Sequence, residues 1–229
     1  MRGSVVLLAG LAAVAGATLL ASAGRSDAGG DPGGGGGGGD TPARQRPKQG
    51  PPPEQLVVGQ PGDPQVAPLL AELEQYLRAN APAGGWTAVE LTRMPKAPGQ
   101  PLAIPPRQLW ANMPPTLKLL ADLKQRMGGA PLYLRAYRPP DYDQAVAGGG
   151  TSLHTYFAAI DIRADDRARL ALEGARLVNA RPAESIGFGV YGADPGGRPS
   201  NIHLDTGWRR RTWEHARAWL DYARTQDNA

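Results

Sequence analysis

The chain has 229 residues, a formal net charge of +4 and an isoelectric point of about 9.6. It contains no cysteine, which excludes disulfides and a lipid-modified cysteine. The basic balance favours polyanionic partners, but the only basic run, residues 209–211, lacks the interleaved aromatic side chains that a single-strand binder needs, so nucleic acid is not an expected partner. We interpret that run as the solvated start of a helix.

Residues 1–23 predict an export signal. Arg2 supplies the positive start, residues 5–23 are uncharged and largely apolar, and Ala21-Ser22-Ala23 has the small-x-small form of a cleavage site. We therefore expect an exported protein of the periplasm or cell envelope, or a secreted one. The alternative is an uncleaved membrane anchor, because the run could almost span a bilayer.

Residues 24–64 predict a disordered linker. Seven consecutive glycines, 33–39, precede a proline-rich stretch, and such a composition cannot bury enough apolar surface to offset its ordering entropy. Residues 65–229 are enough for one compact domain. We expect this domain to be a monomer.

Helical spacing of apolar residues predicts a first helix over residues 65–79. Residues 86–94 are ambiguous and residues 95–106 are interpreted as a loop. A second helix should begin at Pro114-Pro115 and end at Gly128-Gly129. The other two predicted helices run from a cap at Asp165-Asp166 to about residue 179, and over about residues 212–225 with Trp213 on the apolar face.

Alternating, branched and aromatic residues predict strands. They are expected at residues 131–137, 158–163, 185–191 and 201–206, with a loop over residues 141–151. Because helices and strands do not alternate strictly, the predicted fold class is α+β, a small antiparallel sheet flanked by helices.

Two of the three histidines lie close to carboxylates in predicted strands or the loops that lead into them. Side chains alternate between the faces of a strand, so His203 and Asp205 should project together, and a neighbouring strand can aim Asp161 at the same cleft. Zinc in a hydrolase takes three N or O ligands and leaves one position for water, which His154, Asp161 and His203 would satisfy. Spacing alone leaves ordinary ion pairs equally open. We interpret His215 as a surface residue.

Four segments carry motifs that belong together. They are Ala136-Tyr137-Arg138-Pro139-Pro140-Asp141-Tyr142, Ser152-x-His154-x-x-Phe157-x-Ala159-x-Asp161, Ile186-Gly187-Phe188-Gly189-Val190-Tyr191 and Ile202-His203-Leu204-Asp205-Thr206-Gly207. In this order they resemble the zinc peptidases that include D-alanyl-D-alanine carboxypeptidases and murein endopeptidases, which share their fold with the Hedgehog signalling domain. The fourth motif is typical of the murein endopeptidase K-type branch. The resemblance covers about residues 86–213.

The resemblance implies a function and a role for each matching residue. Zn²⁺ would be held by His154, Asp161 and His203. Arg138 would meet a substrate carboxylate or the developing oxyanion, and Asp205 would orient a ligand or act as a base. The implied activity is that of a zinc-dependent peptidoglycan peptidase, an endopeptidase or a carboxypeptidase, acting on bonds that involve D-amino acids in cell-wall peptides.

Two departures from the family pattern keep alternatives open. Phe157 stands where the family has glycine, so its ring could narrow the cleft or spoil the site. Ser200 and Asn201 stand where better-known relatives have Glu or His, which leaves the general base open between Asp205 and a distant residue such as Glu184. The alternatives are a catalytically inactive peptidoglycan-binding module of the same fold and a scaffolding domain whose metal only stabilises it.

Overall fold

A computed structural model describes residues 56–147, 152–207 and 210–228 of the chain. This part is an α+β unit with a two-stranded sheet, a five-stranded sheet and six α-helices. The predicted export signal and most of the predicted linker lie outside these residues. Among the helices described, none combines the length and the apolar character that crossing a bilayer requires.

The larger sheet is almost wholly antiparallel. The strands are β1 Val57–Gly59, β2 Leu102–Ile104, β3 Tyr133–Arg135, β4 Ala159–Arg163, β5 Gly187–Tyr191, β6 Asn201–Asp205 and β7 Arg211–Glu214. β1 and β2 pair antiparallel, and the five-stranded sheet has the order β3-β4-β6-β5-β7. Three of its four strand pairs, β3–β4, β4–β6 and β6–β5, are antiparallel as predicted, but β7 runs parallel to β5, so the sheet is mixed.

The four predicted helices are present; three have ends that differ from the prediction by no more than about two residues, and the last begins about four residues later. The helices are α1 Ala67–Asn80, α2 Ala88–Thr92, α3 Met113–Arg126, α4 Pro140–Ala147, α5 Arg167–Asn179 and α6 Ala216–Asp227, with a 3-10 helix at Arg107–Asn112. The predicted cap of α5 is confirmed, because the Asp166 carboxylate accepts a hydrogen bond from the backbone N–H of Arg169 at 2.9 Å.

Three predictions for connecting segments are wrong. Strand β1 lies within the range predicted as linker, so the fold begins upstream of residue 65, and β2 lies within the predicted loop 95–106. The predicted loop 141–151 contains most of α4. Pro140 opens this helix with a preset φ, and Asp141 and Asp143 lie in its first turn, where negative charge is favourable.

The last helix begins later than predicted. Residues 211–214 form β7, and α6 begins at Ala216. Trp213 is therefore a strand residue rather than part of a helical apolar face. The basic run is not a helix start either, since Arg211 lies in β7.

The apolar face of the larger sheet packs on α3 and α5. Six fully buried side chains from β4, β5 and β6 line it: Ile160, Ile162, Phe188, Val190, Ile202 and Leu204. Because strand side chains alternate, this leaves the polar residues of the same strands on the opposite face.

Candidate metal centre

His154, Asp161 and His203 meet at one point on the polar face of the sheet. Asp161 and His203 are direct partners in the β4–β6 pair, as predicted from strand alternation. His154 lies in the turn that leads into β4. One ligand atom from each residue lies within 4.8 Å of the others, and both imidazoles are buried.

The three donor atoms are spaced as ligands of one ion. The Nδ1 atom of His203 lies 3.0 Å from Oδ1 of Asp161, and Nε2 of His154 lies 3.4 Å from the same oxygen and 3.2 Å from His203 Nδ1. A tetrahedral ion with bonds of about 2.0–2.1 Å holds adjacent donors about 3.3–3.4 Å apart. The triad could therefore hold a metal ion.

Neighbouring acceptors fix the tautomer of each imidazole. Nδ1 of His154 donates to the carbonyl oxygen of Ala136 at 2.7 Å, and Nε2 of His203 donates to Oδ2 of Asp205 at 3.2 Å. Each neutral ring is left with its lone pair on the nitrogen that faces the triad. Such outer hydrogen bonds commonly orient metal-binding histidines, and they distinguish this arrangement from an ordinary ion pair.

The electrostatics of the triad keep its carboxylate ionised. Burial acts to raise the pKa of Asp161, but the charges and hydrogen bonds of His154 and His203 hold it well below its ordinary value. Burial lowers the pKa of His154 against the opposing effect of Asp161. Burial also acts to lower the pKa of His203, yet Asp161 and Asp205 together raise it. In the metal-free protein, a proton bound at the triad is therefore held by His203 in preference to His154 or Asp161.

Asp205 is a positioning residue in this geometry. Its carboxylate is fully buried and accepts hydrogen bonds from His203, from the backbone N–H of Gly207 at 2.8 Å and from Arg211 at 3.1 Å. Burial acts to raise its pKa, but the hydrogen bond and charge of His203, with Arg211 and Gly207, lower it. Of the two predicted roles, orienting a ligand fits these contacts, since the oxygens are already occupied.

The Gly-x-Gly-x-Tyr motif has a steric explanation. A Cβ atom on Gly187 would lie 2.0 Å from Oδ2 of Asp205, and one on Gly189 would lie 2.5 Å from the indole Nε1 of Trp213. These glycines therefore make room on β5 for two side chains of the site face. The sequence motif indicated the glycines but not what they accommodate.

Trp213 and Tyr191 are site residues that the sequence analysis did not assign. The indole of Trp213 packs edge-on against the His203 ring, with centroids 4.8 Å apart, and its Nε1 donates to the Tyr191 hydroxyl at 2.9 Å. Burial raises the pKa of Tyr191, so its hydroxyl stays protonated at neutral pH. Because that oxygen accepts from Trp213, its own hydrogen can point elsewhere in the site.

Arg138 is held beside the triad by two carboxylates. Its guanidinium forms an ion pair with Asp161 and another, at 3.4 Å, with the fully buried Asp143. Asp143 comes from α4, the helix that the sequence analysis missed. The arginine thus forms structural ion pairs, while 16% of its side chain stays exposed.

Two clefts adjoin at the triad. The larger has a volume of about 570 Å³ and is lined by Asp161, and the smaller, of about 230 Å³, is lined by His154 and His203. Three further side chains line both clefts: Arg138, Tyr191 and Trp213.

Phe157 does not enter either cleft. Its ring is fully buried in the main core and meets the Tyr137 ring edge-on, with centroids 6.0 Å apart. Its φ of 53° lies in the left-handed region, which explains on steric grounds why glycine suits this position. The substitution therefore strains the turn after His154 without narrowing the cleft.

The distant base considered from the sequence is outside the site. Glu184 pairs with Arg181 at 3.5 Å with its side chain 54% exposed, and it lines neither cleft. His215 is outside as well, at 2.8 Å from Asp194. Among the residues that line the larger cleft, the carboxylates are Asp161 and Glu214.

Compared with protein-family models and with curated proteins, the chain matches none. The family resemblance therefore rests on the four motifs alone.

Proposed function

We propose that this protein is a zinc-dependent peptidoglycan peptidase of the cell envelope, with the Hedgehog-like fold of the D-alanyl-D-alanine carboxypeptidases and murein endopeptidases. One observation carries the proposal. Side chains from all four motifs, which are spread along the chain, meet around one triad of two imidazoles and a carboxylate. A chance resemblance between short segments would not require them to share a site.

The donor set suits zinc. Two nitrogens and one oxygen are a common protein contribution to catalytic zinc sites, which keep a position open for water or substrate. Bound zinc would lower the pKa of a water molecule to about 7 and polarise an amide carbonyl. The chain contributes by holding the outer N–H groups of His154 and His203 in hydrogen bonds, so that in each ring the other nitrogen faces the metal position.

Arg138 and Tyr191 are suited to stabilise negative charge on the substrate. Both line the two clefts that adjoin at the triad. The guanidinium of Arg138 is anchored by Asp143 and Asp161, and the hydroxyl of Tyr191 is oriented by the indole of Trp213. Donors fixed in advance stabilise a developing oxyanion most effectively, because they need no reorganisation during the reaction.

We assign proton transfer to Glu214 rather than to Asp205. Three hydrogen bonds occupy the carboxylate of Asp205. Glu214 lines the larger cleft together with Asp161, and its side chain is exposed to solvent. Its φ of 54° is unusual for a non-glycine residue and redirects the chain at the end of β7. Its carboxylate would accept a proton from the water molecule that attacks the substrate carbonyl.

Digestion of purified sacculi tests this proposal. The wild-type protein should release new muropeptides, His203→Ala should release none, and Glu214→Gln should be slower by about 100-fold or more. His215→Ala is the matched control, because it removes the one histidine outside the site. If the wild-type protein binds sacculi without releasing products, the catalytically inactive binding module is the better description.

A further inference from the structure

The wall of the larger cleft is basic. Three cationic side chains line it in addition to Arg138; we call Arg93, Lys96 and Arg135 the basic lobe. The carboxylates among the residues that line this cleft are Asp161, which pairs with Arg138, and Glu214. Positive charge therefore exceeds negative charge along the cleft wall.

The fold sets the position of each member of the basic lobe. Arg135 lies directly opposite Asp161 in the β3–β4 pair, so both side chains project from the same face, and Arg135 is half-buried. Arg93 follows α2 and forms a β-bridge with Leu102. These backbone contacts make the lobe a fixed part of the cleft.

The loop carrying Lys96 is fastened to the same cleft. The backbone N–H of Lys96 donates to the Tyr142 hydroxyl at 3.2 Å, and Tyr142 itself lines the cleft. Within the three ranges of the chain that the structure describes, no ion pair is formed by Arg93, Lys96 or Arg135. Like charges gathered in one concave wall raise the local potential and attract an anion.

We propose that the basic lobe binds a side-chain carboxylate of the substrate peptide. This deepens, and rests on, the proposed peptidase function: it names acidic peptides as the substrate class. The guanidinium of Arg135 offers a planar fork of donors that matches a carboxylate. Arg138, which pairs with Asp161 of the triad, lines the same cleft and is suited to meet the reacting carbonyl.

A matched pair of peptides tests the proposal. Both are synthetic D-alanyl-containing peptides of one sequence, with a free side-chain carboxylate in one and a carboxamide in the other. Calorimetric titration into the full chain kept metal-free by a chelator measures binding without turnover. We expect the free acid to bind about tenfold more tightly, the effect of one charge-assisted hydrogen bond of modest strength.

Two variants locate the effect. Arg135→Gln should remove the preference for the free acid, whereas Arg163→Gln, an exposed cation of β4 that lines neither cleft, should keep it. Equal binding of both peptides to the wild-type protein, or an undiminished preference in Arg135→Gln, would overturn the proposal.

Hydrolysis measured separately on the zinc-loaded protein distinguishes the two levels of inference. If the free-acid peptide is preferred in binding but neither peptide is cut, the peptidase proposal fails and the carboxylate subsite stands. If both peptides are cut at equal KM, the peptidase proposal stands and the subsite is refuted.

Discussion

The two faces of the five-stranded sheet are filled by different chemistry, although strand β6 is buried on both. On one face Ile202 and Leu204 are fully buried against helices, while on the other the same strand presents His203 and Asp205, exposed by only 6% and 0%. Apolar burial stabilises roughly in proportion to area. Polar burial is costly unless each nitrogen and oxygen has a partner. The stability of the apolar face therefore depends on how much apolar volume fills it. The stability of the polar face depends on a partner for each buried nitrogen and oxygen.

Strand β5 shows this difference within five residues. Phe188 and Val190 fill the apolar face, whereas Gly187 and Gly189 leave space on the polar face for Asp205 and Trp213. A methyl group added at one of these glycines should therefore disturb the contacts of the polar face. Removal of the Phe188 ring should instead destabilise the packing of the apolar face.

The largest effect is expected on the apolar face. Phe188→Ala removes a fully buried ring and should lower the free energy of unfolding by about 3–5 kcal/mol. The folded fraction should still bind metal, because the ring does not touch the triad. Chemical denaturation, followed by metal analysis of the folded protein, checks both. Loss of metal without loss of stability would contradict the separation of the two faces.

The next effect is expected on the polar face. In Gly187→Ala the new methyl group must displace the Asp205 carboxylate, which frees the His203 ring. Loss of such an outer ligand contact typically weakens metal binding by about 10–100-fold. Competition with a chromophoric chelator measures the affinity. Gly62→Ala is the control, since a Cβ atom there meets nothing within 4 Å, and an unchanged affinity in Gly187→Ala would refute the positioning role of Asp205.

The two faces also differ in how well they could be predicted. The alternation in residues 201–206 predicted the inward and outward residues of β6, and with them the meeting of Asp161 and His203, because side-chain direction in a strand is a local property. Trp213 was assigned to a helix, because the parallel pairing of β7 with β5 depends on a partner more than 20 residues away. A four-residue strand carries too little alternation to reveal such a pairing.

The effect of Phe157 could not be predicted from the sequence. The sequence showed that phenylalanine stands where the resembled family has glycine, and one predicted consequence was a narrowed cleft. In the structure the ring contributes to the core, and the energetic cost of phenylalanine lies in its left-handed backbone conformation.

Helix α4 was not predicted, although Pro140 and the acidic residues that follow it are a recognisable helix start.

A smaller effect is expected from pH on the polar face. Metal must displace the proton that the raised pKa of His203 retains, while Asp161, with its lowered pKa, is already ionised. Affinity for zinc should therefore fall as pH drops through the folded-state pKa of His203, by up to about tenfold per pH unit for each proton released. Chelator competition across about pH 5–8 measures this, and a flat profile would contradict the assignment of His203 as a ligand.

The smallest expected effect is a difference in stability between two substitutions of Phe157. Phe157→Ala and Phe157→Gly both remove the buried ring, but only glycine accepts a φ of 53° without strain. Phe157→Gly should therefore be the more stable of the two variants by about 1 kcal/mol, the reverse of the usual order of alanine and glycine. Paired urea unfolding curves decide it; greater stability of the alanine variant would mean that the turn relaxes.

The central claim is that His154, Asp161 and His203 bind one metal ion together. Elemental analysis of purified protein tests it most directly, with wild type, His154→Ala, His203→Ala and the control His215→Ala prepared side by side. We predict one zinc ion per chain in the wild type and in His215→Ala, and almost none in the other two. Full zinc occupancy in His154→Ala or His203→Ala, in protein shown to be folded, would contradict the account.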